Sequence, residues 1–137
     1  MIRPATSDDA RAIAVLMTQL GYEQNETTAR QRLAANDGAV LVFVEGDAIL
    51  GCIQLATRMS LESGAFGEIA ALVVDEAARG RKIGARLVDA AVEWAREQGF
   101  PKLRVRTNVV RGRAHQFYES NGFQLAKSQR VYDRDVR

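Results

Sequence analysis

The chain has 137 residues, a formal net charge of +2, 47% hydrophobic residues and 26% charged residues. That balance describes one globular domain, large enough to bury a core without disulfides or metals. The longest wholly apolar runs, 12–17, 39–44 and 69–74, have six residues each, whereas a membrane span needs about 20. Asp8 and Asp9 stand where a signal peptide would be basic and then apolar. Cys52 is the sole cysteine and His115 the sole histidine, which excludes an internal disulfide and argues against a dedicated zinc site. The expectation is a cytoplasmic protein with no membrane partner.

Residues 2–5 read as a short strand. Thr6 and Ser7 can cap a helix whose first turn holds Asp8 and Asp9. Ile13, Leu16, Met17 and Leu20 then recur at helical spacing, with Gly21 as the stop. A weaker helix is predicted over 27–35. The β-branched run 39–44 reads as a strand, 45–47 as a turn and 48–57 as the returning strand of a hairpin. Gly51 within it signals a bulge or close packing. Residues 59–64 read as a loop, and 66–74 as a central strand. A charged, glycine-bearing stretch, 75–82, precedes a long helix. That helix carries Ile83, Leu87, Val88, Ala91, Trp94 and Ala95 on one face and stops at Gly99. In 102–107, Leu103, Val105 and Thr107 face one way, and Lys102, Arg104 and Arg106 the other. A helix over 113–120 ends at Asn121-Gly122, and 123–132 is predicted as a last strand. The order β-α-α-β-β-β-α-β-α-β implies an α/β (α+β) domain with a mixed sheet of about six strands and about four helices.

Charge is uneven along this order. Residues 79–113 hold ten basic and three acidic side chains, a local +7, while the rest of the chain carries −5. Arginines outnumber lysines sixteen to three, and the guanidinium fork suits phosphate. A polyanionic ligand follows as an expectation. The sharpest signal is the passage from the apolar strand through Arg79-Gly80-Arg81-Lys82-Ile83-Gly84-Ala85 into the long helix. The first amides of a helix lack intrahelical partners, and the dipole there favours anions. Gly80 and Gly84 allow a ligand to approach the backbone. The pattern is neither a Walker loop nor a dinucleotide fingerprint.

This segment resembles the GNAT superfamily of N-acetyltransferases, whose signature is Arg/Gln-x-x-Gly-x-Gly/Ala. Lys82 stands here in place of the first motif glycine. A second match, Ala114-His115-Gln116-Phe117-Tyr118-Glu119-Ser120-Asn121-Gly122-Phe123, resembles the family's A-x-x-x-Y-x-x-x-G-F stretch. The resemblance covers essentially the whole chain and implies a single GNAT domain over 1–137. It implies acetyl-CoA as co-substrate, its pyrophosphate held around Arg79, Gly80, Arg81, Lys82, Ile83, Gly84 and Ala85. It implies that Leu72, Val73 and Val74 pair with the pantetheine arm. It also implies that Tyr118 protonates the departing sulfur. Many members carry an asparagine seven residues before that tyrosine; Arg111 stands there.

The reaction needs a deprotonated amine, donors for the thioester oxygen, such as the amide of Val74, and an acid for the thiolate. The expected base is Glu68, four residues before Leu72, where the histone-acetylating branch of the family places a glutamate. Positions 68, 70 and 72 are expected to share a strand face, and burial to raise the carboxyl pKa. His115 is the other candidate base. Cys52 reads as a packed strand residue. The acceptor is an amine of a small molecule or protein; segments 17–26 and 58–63 shape its pocket but carry no readable code. A homodimer is possible. Two other readings remain: an acyl-CoA sensor without turnover, and a basic nucleic-acid-binding module, which the absence of a recognition helix or aromatic stripe disfavours.

Overall fold

In the computed structural model, residues 1–107 and 112–137 are described, and they divide into two units, Met1–Arg106 and Thr107–Arg137. The β-branched segments of the first unit fold as β1 (Ile2–Pro4), β2 (Gly38–Glu45), β3 (Ala48–Ser60), β4 (Gly64–Val74) and β5 (Leu103–Val105), in spatial order β1-β2-β3-β4-β5. The first three pairings are antiparallel; β4 and β5 run parallel, joined through a helix. The helices of this unit are α1 (Ala10–Leu20), α2 (Glu26–Ala35) and α3 (Ile83–Glu97).

Local chemistry sets the boundaries. Gly21 adopts φ +109 at the end of α1, and its amide donates to the Thr18 carbonyl at 3.1 Å. The Asn25 side chain caps α2 by accepting from the Thr28 amide at 2.8 Å. Arg3 clamps Asp9 with two bonds, at 2.8 and 2.9 Å, and the Thr6 amide donates to the same carboxylate at 2.8 Å. The Arg3 bonds, aided by Thr6, hold the Asp9 pKa below its ordinary value against the effect of burial. This clamp ties β1 to the start of α1. No helix among the described residues is long and apolar enough to cross a membrane.

The sheet has two covered faces. On one, Ala10, Ile13, Ala14 and Leu16 of α1 and Ala29 of α2 pack with Val42, Cys52 and Val73. Burial pushes the Cys52 thiol up to about 12, so it stays protonated and inert at neutral pH. On the other face lies α3, with Ile83, Leu87, Val88, Ala91 and Ala95 buried. A β-carbon on Gly51 would stand 3.0 Å from Leu87 Cδ1 and 3.1 Å from Ile83 Cγ2. Close packing at Gly51 is therefore observed, and the adjacent register shift leaves Leu50 as an extra residue between the Phe43–Gly51 and Val44–Ile49 pairs.

A second shift matters more. Gln54 pairs with Ala71 and Leu55 with Ile69, which leaves Ala70 as a bulge in β4. An extra residue reverses the alternation of faces. Glu68 and Leu72 therefore do not share a face through position 70. Glu68 lies on the side of the sheet away from α3, whereas Gly67 on the α3 side faces Trp94. The predicted loop over 59–64 is also shorter than expected, because β3 and β4 extend to leave only residues 61–63 as the turn.

The second unit contains α4 (Gly112–Ser120). Its Asn121-Gly122 stop forms as expected, with Gly122 at φ +89 and the Phe123 amide on the Tyr118 carbonyl at 3.0 Å. The strand predicted over 123–132 is absent: those residues form neither helix nor strand, so the described sheet has five strands rather than about six. The polar run Lys127-Ser128-Gln129-Arg130 offers no apolar face to bury, and a strand without such a face gains little from a sheet.

Gly67 is where the helix layer presses hardest on β4. A β-carbon there would lie 2.8 Å from Trp94 Cζ3 and 3.3 Å from Leu103 and Phe100. Gly67→Val is expected to destabilise the protein by about 1–3 kcal/mol, measured by urea denaturation. An unchanged midpoint would show that Trp94 can yield.

Candidate functional site

The parallel pairing of β4 with β5 covers only Gly67–Leu103, Glu68–Arg104 and Ile69–Val105. Beyond Ile69, β4 runs on to Val74 paired with β3 alone. The Asp75 amide donates to Leu50 on β3 at 2.8 Å. Antiparallel alternation then turns the backbone groups of Val74 and Leu72 to the opposite edge. That edge has no strand partner among the described residues. An extended chain lying there can pair with it as a further strand would.

The turn after β4 leads from this edge to the start of α3. The Asp75 side chain accepts from the Ala77 amide at 2.9 Å, and Gln19 of α1 accepts from the Glu76 amide at 3.0 Å. Ala78 is buried and pins the turn. Arg79 lays its Nε 3.4 Å from the Val74 carbonyl. Gly80 sits at φ +84, with open space where a side chain would be. Arg81 is ion-paired with Glu45 at the hairpin tip. Ile83 is buried and anchors the helix, while Gly84 and Ala85 are half-buried in its first turn. No side chain caps that end of α3, so its leading amides are available to an anion.

Lys82 carries the main irregularity. It is the only described non-glycine residue with positive φ, at φ 61 and ψ 22. This is the position where the sequence motif departs from glycine. The backbone keeps the left-handed geometry that glycine adopts freely, and the lysine accepts the strain in exchange for a cation at the helix start.

Glu68 is 5% exposed. Its two oxygens accept from Arg58 Nε and Arg106 Nε, each at 2.8 Å. Burial pushes its pKa up, as expected from sequence, but the two guanidinium groups outweigh burial and hold it below the ordinary carboxylate range. The expected rise is thus reversed, and the carboxylate stays ionised at neutral pH. Sequence reading set Arg58 in the segment that shapes the acceptor pocket but missed its pairing with Glu68. The available signal was the hairpin register, which sets Arg58 opposite Phe66, two residues from Glu68. The predicted alternation on β5 does hold, since Lys102 and Arg104 lie over the Phe66 ring at 4.9 and 4.7 Å.

Tyr118 belongs to the second unit, on α4, with its ring edge-on to Phe117 and Phe123 at 5.1 and 5.5 Å. Burial raises its pKa, which keeps the phenol protonated. His115 lies on the same helix, half-buried. Arg111 falls outside the described residues. Among the sequence-predicted residues, the structure brings together 72–74 and 79–85 on one edge and turn. Glu68 lies earlier on the same strand, beyond the bulge.

The acetyltransferase (GNAT) family matches residues 8–123. The aminoalkylphosphonate N-acetyltransferase of Salmonella typhimurium is 34% identical over 129 residues, covering 89% of this chain and 83% of that protein. Glucosamine 6-phosphate N-acetyltransferase 1 of Oryza sativa subsp. japonica is 34% identical over 114 residues, covering 74% of this chain and 69% of that one. A solved aminoglycoside N-acetyltransferase in complex with CoA shares the fold with a TM-score of 0.85 at 16% identity, covering 99% of this chain and 100% of that one.

Two outcomes follow from the geometry. Lys82→Gly relieves about 1–2 kcal/mol of left-handed strain against about 0.5–1 kcal/mol of added chain entropy. A small rise in melting temperature is expected; a fall would show that the lysine side chain stabilises the turn. Glu68→Gln leaves two guanidinium groups without their carboxylate and is expected to cost about 1–3 kcal/mol at neutral pH. Because the folded pKa is depressed, this contribution is full above the ordinary carboxylate pKa and disappears as pH falls through the folded value. Denaturation over a falling pH series checks it: a gap between variant and wild type that does not narrow as pH falls below the ordinary carboxylate range would contradict the assignment.

Proposed function

Because the chain belongs to the GNAT acetyltransferase family, we propose that it moves an acetyl group from acetyl-CoA to the primary amine of an acceptor by direct attack on the thioester. The observation that carries this reading is the open edge of β4 leading into the uncapped start of α3. The residues present fit the co-substrate: a free strand edge suits the amides of a pantetheine arm, and the helix amides with Lys82 suit a pyrophosphate. Acetyl-CoA, when bound, supplies an activated acyl carbon and a fair leaving group.

The proposed roles of the chain's own groups are these. Leu72, Val73 and Val74 orient the pantetheine arm along their edge, and the outward amide of Val74 donates a hydrogen bond to the acyl oxygen. Arg79, Gly80, Arg81, Lys82, Ile83, Gly84 and Ala85 form the anion-binding turn. Tyr118 donates its phenolic proton to the thiolate, and burial favours the protonated phenol this needs. Glu68 stays ionised and fixes Arg58 and Arg106; the acceptor's proton leaves through water. The two curated relatives described above are named for small amines, which supports a small acceptor over a protein amine.

Acetyl-CoA at 100 times its Kd is expected to stabilise the protein by about 2.7 kcal/mol, read as a thermal shift; no shift in folded protein would sink the reading. Gly84→Glu is expected to abolish the shift by steric block and charge repulsion while the far-UV spectrum is kept. Tyr118→Phe is expected to lower kcat about 10²-fold with the acetyl-CoA shift retained. Release of CoA thiol in the presence of an amine panel measures turnover, and equal turnover by the phenylalanine variant would reduce Tyr118 to packing.

A further inference from the structure

The face of the sheet away from α3 carries a cluster of cations at the β4–β5 pairing. Arg58 and Arg106 close on Glu68, and Lys102 and Arg104 lie over Phe66. Phe66, Glu68 and Arg104 occupy alternate positions of paired strands, Arg106 follows two residues after Arg104 just past the end of β5, and Arg58 stands opposite Phe66 on β3. All therefore project to one side. These named side chains comprise four cations and one carboxylate, an excess of positive charge on this face. The arrangement is also held in place. Glu68 is only 5% exposed and fixes both arginines through Nε, which orients the rest of each guanidinium without removing it from solvent. Arg58 and Arg106 side chains are 55% and 53% exposed. Phe66 is 3% exposed and gives the other two cations a rigid apolar platform.

A buried acid that locks arginine forks beneath a cationic surface is the chemistry of an oxyanion receptor. We infer that Arg58, Lys102, Arg104 and Arg106 bind the anionic group of the acceptor, a small primary amine carrying a dianion of the phosphonate or phosphate class. The placement fits transfer. Glu68 lies four residues before Leu72, about 13 Å at ~3.3 Å per residue. The long side chains of the arginines and a short alkyl spacer in the acceptor cover that distance, so its amine reaches the open edge while its anion stays on the cluster. A dianion matches the charge excess better than a neutral amine or a polyamine, which this surface repels.

The inference rests on the acetyl-transfer reading for the meaning of the site, but binding tests it without turnover. Titration calorimetry of the whole protein with aminoethylphosphonate, with inorganic phosphate and with neutral propanolamine is the experiment. Aminoethylphosphonate and phosphate are expected to bind and to compete with each other, and propanolamine to bind at least tenfold more weakly. Arg58→Gln and Lys102→Gln are each expected to weaken aminoethylphosphonate about tenfold or more with the acetyl-CoA thermal shift unchanged. Lys102 holds no buried carboxylate, so its variant folds even if that of Arg58 does not. Absence of phosphonate binding, equal binding of the neutral amine, or unchanged affinity in the Lys102 variant would overturn the inference. Displacement of the phosphonate by a tighter-binding short duplex DNA would overturn it too. Phosphonate binding with no CoA release from any amine would leave this receptor standing and remove the acetyl-transfer reading instead.

Discussion

The parallel ladder between β4 and β5 stops after three residue pairs, and the rest of the site depends on that stop. Had β5 continued, the outward backbone groups of Leu72 and Val74 would be consumed within the sheet. The bulge at Ala70 lies at the same point. It bends β4 and reverses its alternation of faces just where the partner strand ends. The outward edge of β4 then presents a row of backbone donors and acceptors already aligned by β3. The turn that follows is fixed at both ends: Asp75 and Gln19 hold its start, and buried Ala78 and Ile83 hold its exit. Rigid walls around an open edge are what a positioning catalyst needs, because orientation is most of what such a site contributes.

Charge is distributed with the same economy. Six of the ten basic residues between 79 and 113 fall in two places. At the start of α3, Arg79 lies on a backbone carbonyl, Arg81 is taken by Glu45, and Lys82 adds to the helix dipole. On the sheet face, one buried carboxylate organises two arginines while an aromatic ring supports two further cations. Glu68 illustrates how neighbours can reverse the effect of burial. An isolated carboxylate at 5% exposure would resist ionisation; two guanidinium groups at 2.8 Å make ionisation the favoured state. Lys82 makes a parallel trade in backbone terms, keeping a cation at a helix start at the expense of left-handed strain.

Much of the fold was legible in the amino-acid sequence because it rests on local chemistry. Helical spacing of Ile13, Leu16 and Leu20, the Gly21 and Gly99 stops, the 45–47 turn and the amphipathic face of α3 are short-range patterns, and each formed as read. The motif around residues 79–84 and the Tyr118 stretch were legible for the same reason. They are contiguous, and they point to the GNAT family by themselves. Glu68 was picked out as a site residue because the resemblance implies a glutamate four residues before Leu72. Its partners were invisible in that count, because Arg58 and Arg106 are ten and thirty-eight positions away.

Tertiary structure alone decided three things. The bulge at Ala70 depends on how β3 and β4 align across the hairpin, and a one-residue shift moves every later side chain to the other face. The pKa direction of Glu68 depends on which charges converge on it, and long-range contacts set those. The predicted strand over 123–132 did not form among the described residues, because a strand exists only where a neighbour takes up its backbone groups and a core takes up its side chains. Sequence by itself determined most of the elements, the family and the glycine-bearing turn that opens α3, since those are written in adjacent residues. The open edge, the reversed face and the arginine-locked carboxylate came from the pairing of distant strands, which no local pattern encodes.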